Sequence, residues 1–110
     1  MKKFVLFLAA VACSPSHVYA EYNANIRGVV TEVLTYTESN IILFRLNNQP
    51  ASHPTCKPGY FSVDASVPSE TRHQVLSRLL TAYATGKLVN IGYDKDGTCS
   101  GTWIRTHRVG

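Results

Sequence analysis

No cysteine pair in this 110-residue sequence stands at a CxxC spacing and no histidine pair at HxxxH, so the spacings of common zinc sites are missing. Nor is there a pattern that sets a nucleophile beside a base, or one that pairs two carboxylates for acid–base work. Asp94-Lys95-Asp96-Gly97 begins like a calcium loop, but the downstream ligands are absent and the segment reads as a turn. Asn40 and Asn47 are followed two positions on by Ile42 and Gln49, which excludes both as glycosylation acceptors. His53, His73 and His107 fall in a loop, on the polar side of a helix and in a strand, where each reads as a surface or structural histidine. Internal repeats and low-complexity tracts are also lacking. No metal, cofactor or enzymatic activity is expected.

Long apolar runs are scarce as well. One from Phe4 to Ala12 follows Lys2-Lys3 and precedes Val18-Tyr19-Ala20, an arrangement that predicts a bacterial signal peptide over residues 1–20, cleaved before Glu21. A rival reading takes Ala10-Val11-Ala12-Cys13 as a loose lipobox with Cys13 lipidated. Past Ala20 no stretch is long enough for a membrane span, so residues 21–110 are expected to form one domain, secreted or periplasmic. Removal of Lys2 and Lys3 lowers eleven basic residues to nine against seven acidic ones, a net charge of +2. That is a weak footprint for nucleic acid, which is not expected as a partner.

Without Cys13 only Cys56 and Cys99 remain, in a small chain bound for an oxidising compartment, and they are predicted to pair. Closing such a loop contributes about 3 to 4 kcal/mol in the chain-entropy account.

Strands are expected where β-branched and apolar residues alternate or cluster. Ile26–Thr35 alternates, with Ile26, Gly28, Val30, Glu32 and Leu34 on one side. Ile41–Leu46, Tyr60–Asp64, Lys87–Tyr93 and Trp103–Arg108 supply four more, and Asn47–Gly59, with three prolines, reads as a loop. A helix is expected from Ser69 to Thr85, its stripe of Val75, Leu76, Leu79, Leu80 and Tyr83 facing the core and Gly86 ending it. The fold class is therefore all-β with one helix, in the order β-β-β-α-β-β. A small five-stranded OB-like barrel with one disulfide fits this order, and an open α+β sheet is the alternative. Phe44, Phe61 and Tyr83 are expected in the core, whereas Tyr22, Tyr93 and Trp103 lie at element ends, better placed for exposure.

Tyr83-Ala84-Thr85-Gly86-Lys87-Leu88-Val89-Asn90-Ile91-Gly92-Tyr93 resembles the Tyr-x-Thr-Gly-x-x-Val-x-Ile-x-Tyr joint of the B subunits of subtilase cytotoxin and of the typhoid-toxin-like, pertussis-like group. Glu21-Tyr22 and Gly28-Val29-Val30 are similar to that group's mature start and first strand. The resemblance implies an OB-fold, a ring of five, glycan ligands and a toxin A subunit as a further partner. The group's sugar-contacting Tyr corresponds to Tyr93, while its first-strand Ser corresponds to Arg27, whose guanidinium can pair two-pronged with a sugar carboxylate. Arg27, Tyr93 and Asn23 are the resulting ligand-binding candidates. The alternative is a stand-alone periplasmic OB-fold protein that binds an envelope protein.

Overall fold

A computed structural model describes residues 22–110. The expected signal peptide, the cleavage before Glu21 and the alternative at Cys13 lie outside the described residues. Six strands and one helix follow in the order β1 (Ala24–Thr35), β2 (Ile42–Leu46), β3 (Lys57–Val63), α1 (Ser69–Thr85), β4 (Leu88–Tyr93), β5 (Cys99–Ser100) and β6 (Trp103–Val109).

Long β1 serves two neighbours, pairing antiparallel with β4 through residues 24–29 and with β2 through residues 30–35. β2 continues antiparallel to β3, and β4 to β6. Parallel pairing of β3 with β6, Phe61 beside Ile104 and Ser62 beside Arg105, closes the sheet into a five-strand OB-like barrel and excludes the open sheet. Val30, Phe44, Leu46, Phe61, Ile91 and Ile104 point inward at 2% exposure or less and form the core with Leu79 from α1.

Three features depart from strict alternation. At Thr31 the register with β2 slips by one residue, so Val33, not Glu32 or Leu34, packs toward the core after Ile26 and Val30. This bulge turns the second half of β1 over and bends it from one side of the barrel to the other. A second slip at His107 lets both Ile104 and Val109 pack inward from β6. β3 also starts three residues before Tyr60, with Pro58 and Gly59 at an irregularity in the pairing with β6, where the missing proline N–H breaks no ladder bond.

β5 is an addition to the five expected strands. It lies antiparallel to the start of β6 while β4 lies antiparallel to its end, so residues 94–98 form an excursion within what is otherwise one long edge. Side chains fix this excursion because its backbone has left the ladder. Cys56 and Cys99 form the predicted disulfide, with Cα atoms 5.6 Å apart. Thr55 Oγ1 donates to Gly97 O at 2.8 Å. His53 Nδ1 accepts the N–H groups of Thr55 and Cys56, which leaves Nε2–H to donate to Asp94 O at 2.9 Å.

The helix has the expected bounds, and Gly86 ends it in a left-handed conformation at φ 70°, donating to Ala82 O. Its core stripe is narrower than the sequence pattern. Leu79 and Ala82 are buried and Val75 and Leu76 partly so, but Leu80 and Tyr83 are 46% and 53% exposed. The barrel end accommodates one ridge of the helix, so apolar residues beyond that ridge remain outside, and Tyr83 is not a core residue.

Candidate binding face

Of the residues expected at a ligand, Asn23 and Tyr93 are brought together and Arg27 is set apart. Ala24 pairs with Tyr93 and Arg27 with Asn90, three ladder positions away, or roughly 10 Å along the strand. Tyr93 packs toward the barrel, edge-on to Phe61 with ring centroids 5.3 Å apart, while Arg27 is exposed on the outer side. Asn23 is occupied in holding the 94–98 excursion: its Oδ1 accepts Lys95 N at 2.9 Å and its Nδ2 donates to Asp96 Oδ1 at 3.2 Å. Nearby, the Tyr22 ring lies over Gly92, where a Cβ would approach it to 2.7 Å, and stacks against His107. Tyr22, Tyr93 and Trp103, expected near the surface, are all half-buried.

A different constellation stands on the sheet formed by the second half of β1 with β2, β3 and β6, and the bulge at Thr31 creates it. By turning Glu32 outward, the bulge sets it beside Arg45 of β2, itself the one charged residue in an apolar strand. Tyr60 of β3 donates its hydroxyl to Glu32 Oε1 at 3.0 Å, and its ring meets the Trp103 ring edge-to-face at 5.2 Å. The Arg45 guanidinium lies 5.6 Å from the Tyr60 ring centre and the Lys57 ammonium 5.6 Å from that of Trp103. Four strands thus contribute one row, from Glu32 through Arg45 and Tyr60 to Trp103. Leu43 lies beside it, 4% exposed yet outside the core cluster.

The charges on this face are held differently. Tyr60 keeps its proton more firmly than an ordinary phenol, first because the Glu32 carboxylate accepts its hydrogen bond and next through desolvation. Asp64 is lowered to about 2, chiefly by hydrogen bonds from Ser66 and Ser100, with a smaller pull from Arg105. Ser100 Oγ donates to Asp64 Oδ1 at 2.7 Å, so the Ser62 hydroxyl must be the donor in its 2.9 Å contact with Ser100. Arg105 bonds Cys99 O and lies 3.5 Å from Asp64, so its charge is compensated. Arg45 and Lys57 have no such ion pair among the described residues.

Tyr60 and Trp103 are visible in the sequence as aromatics, but Arg45 reaches Tyr60 only through the β2–β3 pairing and Lys57 reaches Trp103 only through the β3–β6 closure. The lone charge in Ile42–Leu46 was the available signal, since a cation in an apolar strand marks its outward side. Among the described residues no cluster of three or more His, Cys, Asp or Glu side chains forms a metal site, and no helix is long and apolar enough to cross a membrane. No protein-family model matches the chain, nor does any curated protein or solved structure.

Proposed function

We propose that the protein is a secreted, non-enzymatic binding module that recognises glycans on the outer face bearing Tyr60 and Trp103. The observation that carries this reading is the pair of half-buried aromatic rings fixed at right angles on adjacent strands. Rings held this way offer apolar faces and edges at little entropic cost, and the C–H face of a sugar packs on them as a base does. The disulfide is compatible with an oxidising compartment, which supports delivery by the expected signal peptide. The ring of five and the A subunit implied by the toxin resemblance belong to this reading as its assembly.

Binding of the mature chain to an array of cell-surface glycans tests it, with light scattering on the same sample for the assembly. Trp103→Ala is expected to weaken glycan binding roughly 10- to 100-fold, the range for loss of one stacking ring. Trp103→Phe, which preserves an aromatic ring, should retain most of it. A folded wild-type protein that binds no glycan and co-purifies with an envelope protein would establish the stand-alone periplasmic reading instead.

A further inference from the structure

Arg45 and Lys57 each lie over an aromatic ring, and neither forms an ion pair among the described residues. A cation over an aromatic face is positioned by the ring quadrupole, a contact of about 0.5 to 1 kcal/mol at an exposed site, and its net charge remains. An ion pair would position it equally well but cancel the field. On this face Arg105 has taken the second arrangement, with Asp64, while Arg45 and Lys57 keep the first. Glu32, the remaining carboxylate of the row, accepts the Tyr60 hydroxyl and forms no ion pair with its cross-strand neighbour Arg45, so the row carries two cations against one carboxylate.

We infer that the Arg45 and Lys57 cations, seated over Tyr60 and Trp103, bind a polysaccharide with negative charges on successive residues. This rests on the glycan reading above and adds the ligand's charge. Two cations over two different rings match two separate anionic groups better than one, and the rings between them match the uncharged sugar faces of the same chain. Arg45 suits a planar or multi-oxygen anion through its fork of donors, and Lys57 acts as a point charge. Carboxylate and sulfate groups share this chemistry, so the source of the charge is left to the probe.

The test measures affinity of the mature protein for four oligomers of matched length: an oligogalacturonate, a heparin-derived sulfated oligosaccharide, a neutral dextran oligosaccharide and a single-stranded oligonucleotide. At least one acidic saccharide is expected to bind ten times more tightly than dextran, and its affinity should fall as salt rises. Arg45→Gln and Lys57→Gln should each lower that affinity several-fold and flatten the salt dependence by about one counterion, with Arg45→Lys restoring most of the salt slope. Thermal melts of each variant confirm that the barrel is intact. Trp103-dependent binding of dextran equal to that of the acidic saccharides, with no effect of salt, overturns the charge inference and leaves the glycan reading standing. Absence of binding to all three saccharides overturns the charge inference, and absence of binding to the glycan array as well overturns the glycan reading. Tighter binding of the oligonucleotide than of any saccharide overturns the polysaccharide assignment in favour of nucleic acid.

Discussion

Asp64 links the proposed binding face to the helix. Its carboxylate accepts the backbone N–H and hydroxyl of Ser66, which starts the turn into α1, and the hydroxyl of Ser100 from β5. A carboxyl whose folded pKa is depressed to about 2 from 3.8 adds stability above the unfolded value, lost as pH falls toward the folded one. The protein should therefore weaken between about pH 5 and pH 2, and Asp64→Asn should remove much of that acid-dependent loss. At neutral pH the same substitution is expected to cost about 1 to 2 kcal/mol by urea denaturation, less than the full shift implies because the side chain is 20% exposed. Ser62 and Ser100, both fully buried, carry no sequence mark as partners, since only the fold brings residues 38 positions apart into contact.

At the scale of elements, α1 was legible almost to the residue, because apolar spacing and Gly86 agree. Gly86→Ala forces a Cβ into a left-handed conformation with no other atom nearby to relieve or worsen it. A loss of about 1 kcal/mol is expected in equilibrium unfolding, a purely backbone effect. The five barrel strands were legible in order but not in phase. Alternation read from Ile26 fails at Thr31 because a bulge is a property of pairing, and Thr31 itself is an ordinary β-branched residue. The same limit hid β5, two residues long and stable only against β6.

For the whole molecule, the Cys56–Cys99 bond joins the loop before β3 to the start of β5, across the seam where the barrel closes. Its loop spans 43 positions, for which reduction should cost about 3 to 4 kcal/mol and lower the melting temperature by roughly 10 °C or more. A melt unchanged by a reductant that demonstrably frees both thiols would contradict this. The loss should concentrate in residues 94–100, measured as faster amide exchange there than in the core strands β1, β2 and β4, because the excursion is otherwise held by side-chain contacts from His53, Thr55 and Asn23.

Sequence alone pointed to the number and type of the major elements, the disulfide and the aromatic complement, since each depends on local spacing or, for the disulfide, on a count of three cysteines that the expected loss of Cys13 cuts to one pairing. Barrel closure, the turned-over half of β1 and the outer row of Glu32, Arg45, Tyr60 and Trp103 were decided by tertiary structure. The row draws on four strands, and its register depends on one bulge and on one parallel pairing between segments over 40 residues apart. For the same reason Arg27 and Tyr93, joined by resemblance, are separated in space: their neighbouring strands face them to opposite sides of one sheet.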